Sequence, residues 1–559
     1  MRIAMSLKTK MFLGLLTTLL VCFIGTENLY SQGISREILG GGSKPGSGRK
    51  HEIKHIRSKS IGFIDSAFQD GYTDNIVNVN VDSEKIQTLT IQSTDENKYI
   101  GAGRTSYSVW TRDLYWGFLG WAQAGDDSVL DMMKSSLRLL VMAKDKNQAM
   151  GQSKVWPLND KRFYIPQAYT TGLNIAMDLF PWCSESQADF LLLAYNYWRL
   201  SGDRKFIESI WNDIKYVTKT LELLDTNGNS LPDALQGSYD YQFISVNTEE
   251  PLMCAKTSMA YSSVAELARM LGKDRYADSL EALAAKIKKT MNKSVENGGL
   301  WKKEGKGGYY VIRKITKDKE KIPEFILKEM PSYLASFYRK EGILDKFIPY
   351  ENLVPMWCGM TSSKQDKAIF AKLDAGFKKY YDLPYGPEYC APAGHNDQSV
   401  MSCSSVPWLG FLDVYLRGKK GHETNRSRIF DMLMKHAHDA GGIPFSEGAG
   451  IYGNLTGGAG RTWDNGNFFH MLICGIYGLE KSKDGITISA PEKIDGVPLT
   501  ELKNFRLRKA VYNFKWTGEG KRIKSVTVDG NEIASVPKLD VYKLTGKDGS
   551  HEVEIELYK

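Results

Sequence analysis

Between about Thr105 and Leu479, apolar positions recur every three or four residues in runs closed by short polar turns, the pattern of amphipathic helices. Ser186–Leu200 places Phe190, Leu193, Ala194, Tyr197 and Trp198 at helical spacing. It stops at Ser201-Gly202-Asp203, where glycine ends one helix and aspartate caps the next. Thr257–Leu271 and Ala277–Met291 form a second pair around Gly272-Lys273-Asp274, and Ser399–Leu416 and Arg426–His438 a third through Gly418–Gly421. Apolar residues face two ways on several of these helices, as expected where one layer packs against another. Roughly ten to twelve helices, paired by short turns and separated by longer loops rich in Gly, Pro and aromatics, predict an (α/α)6 toroid with its site in the loops at one end.

The period falls to two after Lys483. Lys524–Val528 alternates into Asp529-Gly530, a hairpin turn dipeptide, and His551–Leu557 alternates cleanly. Residues 483–559 are therefore expected to form a small C-terminal β-sandwich, making the chain mainly α with a β module at its end. Upstream, 61–100 holds short alternating segments such as Ile76–Val81, which suit a strand or two. Gly-Gly-Gly-Ser-Lys-Pro-Gly-Ser-Gly at 40–48 is a flexible linker by composition. Arg2, Lys8 and Lys10 precede an uncharged apolar run, Met11–Gly25, too short to span a bilayer and suited to a secretory leader ending near Leu29-Tyr30-Ser31. The expected plan is a signal peptide (1–31), a basic linker (32–60), an N-terminal β segment (61–100), the helical barrel (101–482) and the sandwich. Export to the periplasm or the extracellular space follows, with no integral membrane span.

Charge changes the picture less than it first suggests. The 559 residues carry 73 Lys+Arg against 65 Asp+Glu, a formal +8, which invites a nucleic-acid partner. Residues 1–60 alone hold ten Lys/Arg and three Glu, so the remainder is near +1 and nucleic acid is excluded. The six cysteines beyond the leader (Cys183, Cys254, Cys358, Cys390, Cys403, Cys474) include no Cys-x-x-Cys pair, which excludes a zinc site and favours buried free thiols. Cys390–Cys403 is the nearest pair for a bridge.

The chemistry concentrates in loops where carboxylates lie beside aromatics, as sugar binding requires: apolar sugar faces stack on Trp and Tyr, and hydroxyls need carboxylate or guanidinium partners. In Trp110-Thr111-Arg112-Asp113, the adjacent Arg and Asp are expected to contact different groups. Asp225–Asp233 has oxygen ligands at alternate positions, but its glycine is fourth rather than sixth and no Glu is twelfth. It reads as a turn held by Asx hydrogen bonds rather than a structural calcium loop, and neither metal nor cofactor is expected. Asp240 stands between Tyr239 and Tyr241, an apolar setting that raises a carboxyl pKa and suits a proton donor. Glu388 in Tyr385–Tyr389, His395 in Gly394–Gln398, Glu447 in a Gly-rich turn and Trp463 in Thr462–Phe468 complete the candidates.

Trp110-Thr111-Arg112-Asp113, the helix from Ser186-Gln187-Ala188-Asp189 to Tyr197–Asp203, Phe445-x-Glu447 and Trp463-x-x-Gly466-x-Phe468 together resemble the six-hairpin glycosidases. That group includes glucoamylases, trehalases, processing and debranching α-glucosidases and α-L-rhamnosidases. The resemblance spans roughly residues 100–559 and implies an inverting exo-glycosidase on an α-glucoside or α-rhamnoside. It implies Glu447 as general base and Asp240 as general acid, with Glu249 or Glu250 as rivals for the acid and Glu388 for the base. Arg112 and Asp113 would grip the terminal sugar between Trp110 and Trp463, with Tyr239, Glu388 and His395 also at the substrate. The expected partner is an oligosaccharide or glycoside, bound by a monomer or small homo-oligomer. Three other readings fit the same scaffold: a polysaccharide lyase with Tyr239 or His395 as base, a disaccharide phosphorylase, and a sugar-binding protein without turnover.

Overall fold

Twelve α-helices occur among the described residues, and six of them close a ring. The computed structural model describes residues 90–94, 97–100, 108–149, 165, 168–170, 184–234, 248–305, 307–315, 336–337, 339–340, 342–379, 406–439, 446–449, 455–459, 462–494, 499, 501–537 and 539–558. The ring consists of α1 (Thr111–Ala124), α3 (Ser184–Ser201), α6 (Pro251–Met270), α8 (Tyr350–Trp357), α10 (Pro407–Lys419) and α12 (Thr462–His470). Each packs on the next and α12 packs back on α1. A second layer lies outside: α2 (Asp127–Ala149) on α1 and α3, α5 (Trp211–Glu222) on α3 and α6, α7 (Asp274–Met291) on α6, α9 (Ser363–Lys379) on α8, and α11 (Arg426–Asp439) on α10. The short α4 (Arg204–Ser209) links α3 to α5. This is the (α/α)6 toroid that the periodicity predicts.

The two layers differ in sequence for a physical reason. α7 buries Ala277, Leu280, Ala284, Ile287 and Met291, one stripe at helical spacing, with charges elsewhere. α6 buries every residue from Pro251 to Ser258, because it has ring neighbours on both sides and an outer helix behind. Between α1 and α12 the backbones touch: a Cβ on Gly120 would collide with the Gly466 carbonyl, and one on Gly466 with that of Gly117. Glycine at these positions lets the last inner helix meet the first. At the end of α3, Gly202 takes φ +69° and the Asp203 carboxylate accepts the Phe206 N–H at 3.0 Å, so the predicted stop and cap are both present.

The C-terminal residues form two sheets. One has three strands, with Gly485–Ile488 between Leu479–Ser482 and Tyr542–Leu544. The other has five, ordered Glu501–Leu507, Ala510–Thr517, Gly549–Tyr558, Arg522–Val528, Asn531–Glu532. Asp529 (φ 51°) and Gly530 (φ 79°) make the predicted hairpin turn. Ala510–Thr517 pairs parallel to Gly549–Tyr558, a crossover that period-two alternation does not reveal. The sheets meet the barrel along a seam. Lys481 Nζ donates to the Gly125 carbonyl at 2.6 Å, and the Lys481 N–H donates to Gln123 Oε1 at 2.6 Å. Arg426 sends its guanidinium to the carbonyls of Val414, Lys493 and Glu492 at 3.2, 3.2 and 2.9 Å.

Upstream, the hairpin Thr90–Thr94/Asn97–Ile100 packs its second strand on α2. Ile76–Val81, the leader and the linker lie outside the described residues. Cys254 and Cys474 are buried free thiols and Cys358 a partly buried one, while Cys183, Cys390 and Cys403 lie outside the described residues. Among the described residues no helix is long and apolar enough to cross a membrane.

Candidate active site

The first turns of the inner helices meet at one end of the ring, and their side chains bond from helix to helix. The α6 start has Pro at its first position and no side-chain cap of its own, and the Leu252 N–H is instead taken at 2.7 Å by Glu351 from the first turn of α8. α10 repeats the arrangement: Pro407 opens it, Val406 supplies no cap, and Asp464 on α12 accepts the Trp408 N–H at 2.8 Å. Carboxylates at helix N-termini satisfy orphan N–H groups and sit favourably in the helix dipole. The rim of the ring is thereby held in register.

Inside this rim lies a buried charged cluster. Arg112, the second residue of α1, places its guanidinium carbon 4.8 Å from the Trp463 ring centroid, with Nη1 3.7 Å from Glu185 Oε2 at the start of α3. Its Nε is 3.9 Å from Asp113 Oδ1, an ion pair longer than a hydrogen bond. Glu185 Oε1 accepts from Lys256 of α6 at 2.7 Å, and Lys256 also ion-pairs with Asp189 one turn along α3. The Lys256 ammonium lies 5.0 Å from the Tyr115 ring and 5.3 Å from that of Trp116. Trp116 packs on Trp408 at 5.0 Å, and Trp408 stacks on Trp463 at 5.5 Å and 20°. All these side chains are buried.

Burial raises the Asp189 carboxyl to about 7 despite the Lys256 ammonium beside it. Burial works against the charge on Lys256 too, but Asp189 and Glu185 outweigh it and hold the ammonium above its ordinary range. The arrangement offers an aromatic wall, a guanidinium over it and carboxylates near the guanidinium, groups of the kinds that bind a polyhydroxylated ring.

Of the residues the sequence singles out, Arg112, Asp113 and Trp463 come together here. Trp110 ends the strand Ser108–Trp110, opposite Ala168 and directly before α1. Glu447 stands on Ser446–Ala449, which pairs with Leu455–Ala459 and packs on α10. Tyr239, Asp240, Glu388 and His395 lie outside the described residues. Of the rivals for the acid, Glu249 is committed to structure: it accepts from Arg313 Nε at 2.6 Å and from Asn227 at 3.0 Å. Glu250 is buried at the α6 entry and accepts from Thr248 Oγ1 at 3.0 Å. The Asp225–Asp233 segment is a turn laced by its own side chains. Asn227 Oδ1 accepts the Asn229 N–H, Asn229 Oδ1 that of Leu231, and Asp225 Oδ2 that of Ser230, at 3.0, 2.8 and 2.9 Å. Burial raises Asp233, which bonds Thr226, to about 7.

Glu185 and Lys256 were not among the sequence candidates. Lys256 carries a signal in retrospect, as the one charge in the otherwise uncharged stretch Pro251–Ala265. Asp189 belongs to the Ser186–Asp189 motif, but its role appears only with its partner.

No protein-family model matches the sequence, and no curated protein does. Solved structures similar to the chain include a GH78 family rhamnosidase of Bacillus sp. GL1 (TM-score 0.46, 13% identity, covering 73% of this chain and 37% of that one). A bacterial glucoamylase complexed with acarbose is similar at TM-score 0.44 and 14% identity, covering 65% of this chain and 48% of that one. A GH63 mannosylglycerate hydrolase from Thermus thermophilus in complex with glucose is similar at TM-score 0.45 and 10% identity, over 67% and 95%. The chain spans less than half the length of the first two. The toroid itself rests on the closed helix order described above.

Proposed function

We propose that this chain is an exported glycoside hydrolase that removes terminal α-linked sugars with inversion. The observation that carries the reading is the rim cluster: Arg112 lies against Trp463 and near Glu185, beside Asp113, at the end of a closed helical ring where the inner-helix first turns converge. The guanidinium and Asp113 are suited to sugar hydroxyls, with Trp463, stacked between Arg112 and Trp408, as the apolar wall that backs the guanidinium. Trp110 immediately precedes this cluster and is assigned the facing wall, with Tyr239, Glu388 and His395 assigned to the substrate from their loops.

In this mechanism Glu447 takes a proton from water as the water oxygen bonds to the anomeric carbon. Asp240 gives its proton to the glycosidic oxygen as the carbon–oxygen bond breaks. The two carboxyl groups need a separation of about 6.5–9.5 Å to leave room for that water. The export assignment rests on the basic start and the apolar run Met11–Gly25, and N-terminal sequencing of the secreted protein checks it.

The test is a panel of α-glucosides and α-rhamnosides with the product anomer followed by NMR. The expected first product is a monosaccharide of inverted configuration. Glu447→Gln should lower kcat by about 10²–10⁴-fold with an unchanged unfolding midpoint. Release of no monosaccharide from the whole panel, or near-parental turnover by Glu447→Gln, overturns the assignment.

A further inference from the structure

Lys256 is buried, and it closes a circuit of contacts around the rim. Arg112 touches Trp463, Trp463 stacks on Trp408, Trp408 on Trp116, Trp116 faces Lys256, and Lys256 bonds Glu185, which returns to Arg112. The circuit joins α1, α3, α6, α10 and α12, and every member is buried. Two cations and three carboxylates share it: Arg112 and Lys256 against Asp113, Glu185 and Asp189. A buried ammonium that serves two carboxylates keeps both from drawing on the next available cation.

We propose that Lys256 is a positioning residue: by holding Glu185 and Asp189 it leaves Arg112 over the Trp463 ring, in the pose that grips the terminal sugar. The sugar-gripping part rests on the glycosidase reading above. The hold on Arg112 does not. Without Lys256, Arg112 is the only cation in the described cluster and should leave the Trp463 face to settle between Glu185 and Asp189.

The experiment compares Lys256→Met, Lys256→Arg, Arg112→Lys and the double variant Lys256→Met/Arg112→Lys in the full chain. Two readouts are taken: KM and kcat on the best substrate of the panel, and the Arg112 Nε–H NMR signal, assigned by its loss in Arg112→Lys. Lys256→Met should raise KM tenfold or more with a smaller change in kcat, and Lys256→Arg should recover part of it. The double variant should be little worse than Arg112→Lys alone. The Arg112 signal should shift in Lys256→Met and exchange with solvent at least tenfold faster. If Lys256→Met does not fold, Lys256→Gln, which removes the cation but keeps a hydrogen-bonding side chain and both carboxylates, carries the same expectations. Additive KM effects, or an unchanged Arg112 signal, overturn the proposal even in an active enzyme. A shifted signal in a protein that hydrolyses nothing supports the hold on Arg112 and sinks the glycosidase reading instead.

Discussion

The rim and the seam both bury charge, and they do so in opposite ways. At the rim, the cations Arg112 and Lys256 end on carboxylate side chains from neighbouring helices. At the seam between barrel and sandwich, Lys481 ends on the Gly125 carbonyl and Arg426 on three backbone carbonyls, with Glu423 and Glu492 farther off at 3.3 and 3.4 Å. A backbone carbonyl cannot move or titrate, so a cation held by several of them is a fastening between chain segments. Side-chain carboxylates can exchange partners and protons, which is what a binding site uses. On the proposed reading, equal burial of the same residue types serves construction in one region and recognition in the other.

The largest effect that would break this contrast is on Arg426. Arg426→Met strands the carbonyls of Val414, Lys493 and Glu492 and should cost about 3–5 kcal/mol of stability by urea unfolding. Turnover per folded molecule should stay at the parental level. A fall in kcat without a fall in stability would mean that the seam serves the reaction and that the distinction fails.

Titration separates the two ends of the ring by sign. The rim's Asp189 has its carboxyl raised to about 7 by burial, so its contribution to stability is full below its unfolded value near 4 and is lost as pH rises to 7. His470 lies at the other end of the ring, at the end of α12, with its ring 5.0 Å from Trp357 and 4.8 Å from Tyr415. Burial lowers it to about 4, so its contribution is full above about 6.5 and is lost as pH falls to 4. The shifts correspond to about 4 kcal/mol for Asp189 and about 3 kcal/mol for His470, and between pH 4 and 6.5 they oppose one another. Asp189→Asn should make the urea midpoint climb with pH over that window relative to the parent, and His470→Phe should make it fall. Parallel profiles for parent and both variants would show that neither group titrates away from its ordinary value.

The fold was largely legible in the sequence. The hairpin at Gly202-Asp203, the pair around Gly272 and the Asp529-Gly530 turn all follow from local chemistry that needs no distant partner. What local chemistry does not carry is any device whose partner sits on another helix. Glu351 caps α6 from about 100 residues away, Asp464 caps α10, and Lys256 acquires its role only when α3 lies beside it. Arg112, Asp113 and Trp463 were legible because an Arg-Asp pair and a Trp in polar loops are unusual residues for a helix start. Glu185 was not, because an acidic residue in a first turn is the ordinary choice there. The parallel pairing of Ala510–Thr517 with Gly549–Tyr558 is invisible for a related reason, since alternation gives a strand's faces and not its neighbour.

The smallest expected effect sharpens the contrast most, because it separates burial from location. Arg199 on α3 donates to Glu480 on the strand Leu479–Ser482 at 2.7 Å, joining barrel to sandwich across the same seam that Arg426 fastens. This pair is part-exposed, with the Glu480 side chain 47% accessible, so water competes for both charges and salt screens them. If position at the seam were what mattered, Glu480→Gln would approach the cost of Arg426→Met. If burial is what matters, the loss should stay within about 1 kcal/mol and shrink further in 1 M NaCl, where the Arg426 effect should be nearly unchanged. Urea unfolding of the two variants at low and high salt decides between these. A Glu480→Gln loss of several kcal/mol that persists in salt would assign the fastening to the interface itself rather than to its buried part.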